Sequence, residues 1–180
     1  NKMTIKSNKR FTPKTYRFCN VPIEGILVPN AHINTANGLV SSDRYTPDNT
    51  PDVEVESSYQ MNVPDSIIEF YFPENLPVSK QGASITLWKH REANSYATGN
   101  KVFTNAPDSA AYLEIYGDYT DSTGKIIADV SYTIHLGNFS SNERLGDFNV
   151  IRNNYYNYNV MVNGVNDIIA EAVVDSINNT

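Results

Sequence analysis

The residues best suited to metal or nucleophilic chemistry are three histidines and one cysteine. His32, His90, His135 and Cys19 lie far apart in the sequence, and none forms a HExxH or His-x-His pattern. Zinc sites usually draw on such local spacings, so the sequence predicts no metal site. Cys19 lacks the signature of a catalytic pair, which favours a buried thiol over a reactive one. His135 falls on the polar face of a predicted strand and is expected to face solvent.

Paired carboxylates are the other chemistry that the sequence offers. Four glutamates in predicted strands are candidates for the two carboxyl groups of a glycosidase: Glu54, Glu56, Glu69 and Glu114. Acidic side chains on the outward face of a sheet more often keep it soluble. Since there is also no GxSxG elbow and no glycine-rich phosphate loop, we predict a protein that is not an enzyme and has no cofactor.

Composition favours a secreted, all-β domain. The 180 residues suit one domain, with 40% hydrophobic residues, 19% charged residues and 12 tyrosines. One cysteine excludes an intrachain disulfide. The formal charge of −6 comes without a basic run or face, so nucleic acid is not an expected partner. No apolar run is long enough to span a membrane, and we expect any membrane anchor to lie outside this chain.

Two regular period-two segments are the elements around which the rest is organised. Lys125–Gly137 places six apolar residues on one face: Ile126, Ala128, Val130, Tyr132, Ile134 and Leu136. Tyr155–Val162 does the same with Tyr156, Tyr158, Val160 and Val162. The Asn163-Gly164 pair that follows predicts a tight hairpin turn. We expect the tyrosines of both segments in the core or at its boundary, with hydroxyls that reach water.

Further strands follow from shorter patterns. They are predicted at residues 2–6, 14–21, 23–28, 53–56, 66–72, 82–90 and 110–116, with a long surface loop at 30–52. The segment 167–177 suits either a strand or a short helix, and its neighbours favour a strand. The chain 1–180 is therefore predicted to be a single β-sandwich of about seven to eight mostly antiparallel strands.

Two kinds of surface site are candidates. Aromatic side chains bind carbohydrate, and four of them are candidates for an exposed cluster: Trp88, Tyr112, Tyr116 and Tyr119. Four Asp-Ser pairs begin triplets that resemble the O-glycosylation sequon of exported Bacteroidetes proteins, at Ser66, Ser109, Ser122 and Ser176. Ordinary turn chemistry explains these triplets equally well.

Several longer stretches resemble the fimbrillin family of Bacteroidetes type V pili, especially its Mfa-like and accessory members. The resemblance covers residues 3–172, and its most specific part is GDFNVIRNNYYNYNVMVNGVNDI at 146–168. The other stretches are FTPKTYRFCNVP at 11–22, FYFPENL at 70–76, AYLEIYGDY at 111–119 and YTIHLGN at 132–138.

The resemblance implies a transthyretin-like β-sandwich that serves as a pilus subunit on the cell surface. It also implies strand exchange: proteolysis removes an N-terminal strand, and a neighbouring subunit donates a C-terminal strand to the exposed groove. Here the candidate donor lies in 165–180, with Val165, Ile168, Ala170, Ala172 and Val174 as its alternating side chains. The candidate acceptor edge lies near Met3 and Ile5. The chain departs from the major pilins in having about one domain and no visible lipobox.

Two functions therefore remain open at the level of sequence. The first is a structural or adhesive pilus subunit, whose partners are other pilus subunits and, as a further candidate, a host protein or glycan receptor. The alternative is a surface glycan-binding lipoprotein domain, which an exposed aromatic platform that includes Trp88 would favour.

Overall fold

The computed structural model describes residues 1–7, 10–21, 59–60, 67–98 and 100–176, and they form an almost entirely β structure. The strands are β1 (Lys2–Ser7), β2 (Phe11–Cys19), β3 (Tyr59–Gln60), β4 (Ile67–Glu69), β5 (Asn94–Ala97), β6 (Asn100–Phe103), β7 (Tyr112–Thr120), β8 (Ile126–His135), β9 (Asn154–Gly164) and β10 (Asp167–Ser176). A short helix α1 (Trp88–Arg91) and a 3-10 turn (Asn142–Arg144) complete the elements. No helix within this part of the chain is long and apolar enough to cross a membrane.

Two four-stranded sheets form the sandwich, which confirms the predicted all-β fold. The first sheet has the order β10-β9-β1-β4, and the second has the order β3-β2-β7-β8. β1 runs parallel to β9, whereas the other strand pairs are antiparallel. The predicted strands at 23–28 and 53–56, the loop at 30–52 and the candidates His32, Glu54, Glu56 and Ser66 lie outside the described residues.

The core lies between the two sheets and follows the predicted alternation of β9. Tyr156, Tyr158, Val160 and Val162 are each 1% exposed. The prediction that the tyrosine hydroxyls reach water is wrong for the two in β9, because main-chain groups meet them. Tyr156 Oη accepts a hydrogen bond from Ile151 N (2.7 Å), and Tyr158 Oη accepts one from Gly137 N (3.1 Å). Buried phenols therefore keep a polar partner while their rings fill the core.

A β-bulge in β8 reverses the predicted alternation over the first half of that strand. Asp129 has a φ of 58°, and the register against β7 shifts between Gly117 and Tyr119. The extra residue turns Ile127 towards the core and leaves Ile126 63% exposed. The inward placement predicted for Ile126 and Ala128 is therefore wrong, whereas Val130, Tyr132, Ile134 and Leu136 are buried as predicted.

The predicted strand at 82–90 is wrong, because this region ends in α1. Trp88 and Arg91 lie three residues apart on one helical turn, and both pack on the ring of Phe139. The hairpin of β5 and β6 that follows α1 is an element that the sequence did not predict.

The hairpin of β9 and β10 forms, but its turn is displaced from the predicted one. The turn is Val165-Asn166, and Gly164 still belongs to β9, where it pairs with Asp167. The ambiguous segment at 167–177 is a strand, as favoured.

Candidate functional site

The strand edge formed by β10 is the candidate site for strand exchange. Its 10 residues pair antiparallel with β9, from Asp167 opposite Gly164 to Ser176 opposite Asn154. No described strand flanks its other side. A strand at the end of a sheet presents unpaired main-chain groups, which make it a template for another chain.

The side chains of β10 alternate between core and solvent from Asp167 to Asp175. Ala170 is 7% exposed and Ala172 is 0% exposed, whereas Ile169 and Val173 are 52% and 44% exposed. The five candidate donor residues all pack against the main core: Val165, Ile168, Ala170, Ala172 and Val174. In this chain, then, the candidate donor strand occupies its own sheet.

The predicted acceptor edge is wrong at Met3, because strands flank this residue on both sides. Met3 is 0% exposed and lies between two strands, opposite Tyr158 of β9 and Ile68 of β4. Ile5 pairs with Val160 of β9. The reason is β4, which pairs with Lys2–Thr4 on the side of β1 away from β9; at Ile5 the acceptor edge stays a prediction.

The predicted exposed aromatic cluster is wrong at two of its four positions. Tyr112 and Tyr119 are 1% and 4% exposed. Tyr112 packs against Phe103 of β6, and Tyr119 donates to the carbonyl oxygen of Asn163 (3.3 Å). Trp88 and Tyr116 are half-buried, and Trp88 packs on Phe139. Among the residues whose burial is described, the exposed tyrosines are Tyr71 and Tyr96.

A buried carboxylate lies on the outer face of the second sheet, where the sequence predicted a solvent-facing glutamate. Glu114 is 3% exposed and lies 2.6 Å from Arg17 and 2.5 Å from Lys101. Burial would raise the pKa of Glu114, but hydrogen bonds from Lys101 and Tyr116 and the charges of Lys101 and Arg17 lower it below its usual value. The same carboxylate raises the pKa of Tyr116, in addition to the effect of burial. The cluster ties β6 to the sheet beneath it.

His135 is 0% exposed, so its predicted solvent-facing position is wrong as well. Its Nδ1 lies 2.6 Å from Oε2 of Glu92, and its main-chain N donates to Oε1 of the same carboxylate (3.0 Å). The rings of Phe103 and Phe148 pack against its imidazole. Thus α1 and the β5–β6 hairpin form a third layer over the second sheet, and this layer buries the polar positions of β7 and β8.

Arg91 fixes α1 to the rest of the fold from a fully buried position. Its guanidinium donates to the carbonyl oxygens of Leu145 (2.6 Å), Leu136 (2.7 Å) and Asp147 (3.1 Å). It also lies 4.0 Å from the ring centroid of Phe148 and 4.5 Å from that of Phe139. Burial lowers the pKa of Arg91 to about 10, which leaves it charged at neutral pH.

The candidate glycosylation serines differ in accessibility. Ser122 and Ser176 are exposed, whereas Ser109 is half-buried. Turn chemistry accounts for the loop at Ser122, because Oδ1 of Asp121 accepts hydrogen bonds from Thr123 N (2.8 Å) and Lys125 N (3.0 Å). No group of three or more His, Cys, Asp or Glu side chains in the described ranges is placed to hold a metal ion.

The described residues form an all-β sandwich in which the end strands of each sheet have a described partner on one side only. The chain belongs to the family described as Domain of unknown function (DUF4906), whose profile matches residues 70–160. That match covers half of the chain, from Phe70 after β4 to Val160 in β9, and it does not include β10. No curated protein and no solved structure matches the chain.

Proposed function

We propose that this protein is a structural or adhesive subunit of a cell-surface pilus, assembled by exchange of β10 between subunits. The observation that carries the proposal is the position of β10, the end strand of its sheet among the described residues, which pairs with β9 over 10 residues with one register shift between Asp167 and Ile168 and has an apolar inner face. The resemblance of residues 3–172 to fimbrillins supports the same function. Its partners would be other pilus subunits, with a host protein or glycan receptor as a further candidate, and it would have no catalytic activity.

Exchange of β10 needs no new surface chemistry. If β10 leaves, β9 becomes an edge with unpaired main-chain groups and an open apolar strip, and β10 of a neighbouring subunit fits both in the same register. Such an exchange forms a closed dimer when it is reciprocal, and a filament when each subunit donates to the next one. This replaces the acceptor predicted at Met3 and Ile5 with the β10-facing edge of β9.

The small inner side chains of β10 also favour exchange. Ala170 and Ala172 are its fully inserted residues, and alanine loses little conformational freedom on burial. The hinge is the two-residue turn Val165-Asn166, which must open for β10 to reach another subunit. Short hinge loops are a known route to domain swapping.

A glycan-binding module is not favoured by the aromatic residues. The platform expected for that function includes Trp88, yet Trp88 packs inward on Phe139 and Tyr112 and Tyr119 are buried.

Size-exclusion chromatography with light scattering tests the proposal. The intact chain should form heat-stable oligomers, and a chain that ends at Asn166 should not. A matched control keeps every strand: Asn159→Cys and Glu171→Cys, which face each other across β9 and β10, are bridged by a short bismaleimide in a Cys19→Ala background. This locked chain should remain monomeric. Oligomers that persist in the locked chain, or an intact chain that stays monomeric, would contradict exchange through β10.

A further inference from the structure

A cleft of about 600 Å³ runs along the free edge of β8. One wall is β8 itself, from Ile127 to Thr133, and the opposite walls come from α1 with the β5–β6 hairpin and from the β9–β10 turn. β8 is the terminal strand of its sheet within the described ranges. The cleft is thus an opening between the edges of the two sheets.

The β8 wall offers main-chain hydrogen-bonding groups to the cleft. Leu136 N donates to the carbonyl oxygen of Ala111 (2.8 Å), beside β7. Main-chain groups of successive residues in a strand point in opposite directions, so those of His135, Thr133 and Ser131 point away from β7. Glu92 confirms this direction because it accepts the hydrogen bond from His135 N. Ser131 and Thr133, by contrast, have no described strand beside them.

The inner surface of the cleft is apolar. Trp88, Ile127, Val165 and Ile168 line it, and all four are partly buried residues that pack against the main core. The indole Nε1 of Trp88 is buried and has no hydrogen-bond partner among the described residues.

The rim beside α1 and the hairpin carries Lys89, Lys101 and Glu92, and the carboxylate of Glu92 already contacts His135. Lys89 is exposed and has no described ion-pair partner, and Lys101 shares the single carboxylate of Glu114 with Arg17. Asp129 lies at the other end of the cleft, at the bulge. This distribution suits an acidic side chain near the helix end.

We propose that this cleft binds an extended peptide strand of another polypeptide by β-augmentation along β8. The peptide carries apolar side chains at alternate positions and an acidic side chain near Lys89. Walls on both sides admit a single strand rather than the edge of a second sheet. The proposal goes beyond the exchange of β10, because it leaves β10 paired with β9 and needs a different edge.

Trp88 is the only tryptophan of the chain, so its fluorescence reports on the cleft directly. The probe is the synthetic peptide DIIAEAVVDS, which has the sequence of residues 167–176 and the required alternation with acids. A peptide of scrambled sequence is its control. The titration uses the locked chain, in which β10 is fixed to β9, so that strand exchange cannot produce the signal.

We expect a saturable change in Trp88 fluorescence and slower amide hydrogen exchange at Ser131 and Thr133. Ser131→Pro should weaken binding at least about tenfold, because it removes an outward N–H that an edge strand can lose without unfolding. Ser131→Ala should bind like the parent chain. Lys89→Glu is a second variant, which reverses a charge at the rim and leaves β8 unchanged. It should weaken binding at least about threefold.

Three results would overturn the proposal. The first is slower hydrogen exchange only at amides outside β8. The second is binding by both Ser131→Pro and Lys89→Glu as tight as that of the parent chain. The third is no saturable fluorescence change at millimolar peptide. If the amides of Ser131 and Thr133 become protected without peptide as the protein concentration rises, the edge of β8 instead binds a second copy of the chain. Because β10 is locked throughout, none of these results bears on strand exchange.

Discussion

Replacement of Arg91 by methionine should destabilise the protein by about 4 kcal/mol. The methionine retains the apolar stem but removes the donors to Leu136 O, Leu145 O and Asp147 O. Leu136 and Leu145 are 1% and 6% exposed, so water cannot readily replace the guanidinium. A buried acceptor left without a donor costs roughly 1–3 kcal/mol, and loss of the cation–π contacts with Phe139 and Phe148 adds about 1 kcal/mol.

An opposing term reduces this cost, because the variant no longer buries a charge. That relief offsets several kcal/mol in some buried ion pairs. Here, however, the guanidinium meets mainly carbonyl oxygens, and the nearest carboxylate atom, Oε1 of Glu92, lies 3.7 Å from Arg91 Nε. The carbonyls remain buried when the charge is gone, which leaves a net loss of about 4 kcal/mol, within the range of about 3–5 kcal/mol for a broken buried partnership.

Urea denaturation at pH 7 measures this change in the free energy of unfolding. Arg91→Lys should lower the free energy of unfolding by roughly half as much, because an ammonium keeps the charge but cannot reach all of these carbonyls or lie flat between two rings. Lys89→Met on the same helix is the matched control, and as an exposed substitution it should stay within about 0.5 kcal/mol of the parent chain. An Arg91→Met chain within about 1 kcal/mol of the parent would refute the reasoning, since apolar packing would then compensate for the lost donors.

Substitutions at three other positions test separate parts of the fold by the same urea assay. Gly137→Ala should lower the free energy of unfolding by at least about 3 kcal/mol, because φ is 126° and the new Cβ would lie 2.4 Å from Asp147 O. A decrease below about 1 kcal/mol would contradict this. Glu114→Gln should lower the free energy of unfolding at pH 7. The difference from the parent chain should shrink as pH falls below about 4, because the contacts that depress the pKa of Glu114 stabilise the folded state only while its carboxyl is ionised. A difference that does not depend on pH would count against this. Asp129→Val should cost about 1 kcal/mol and Asp129→Gly should cost less, because φ is 58° at the bulge; the reverse order would exclude strain there.

The sandwich could be predicted from sequence because its strands alternate with a period of two. β9 and β10 show this well, since each has one face against the core and one face towards solvent. In β8, the inward face was predicted correctly only for the residues that follow the bulge. The inserted residue reverses the alternation before it, and the only trace in the sequence is the aspartate itself.

The candidate sites were harder to predict, because their burial depends on contacts between distant segments. Glu114, His135 and Tyr112 occupy outward positions of the second sheet, and they are buried because the segment of α1 and Glu92, the β5–β6 hairpin and Phe148 lie over them. Within this third layer, the segment that ends in α1 was predicted as a strand and the β5–β6 hairpin was not predicted. The failed acceptor edge has a similar origin, since no pattern in Lys2–Ser7 indicates that β4 and β9 lie on either side of it.

Exchange of β10 is tested most directly by cross-linking between differently labelled chains. One chain carries only Asn159→Cys and the other only Glu171→Cys, both in the Cys19→Ala background, and the two are unfolded, mixed, refolded and treated with a short bismaleimide. Residues 159 and 171 face each other across β9 and β10, so exchange predicts a covalent heterodimer that carries both labels. If the doubly substituted chain cross-links within itself but the mixture yields no heterodimer, β10 stays with its own β9 and the proposed assembly is wrong.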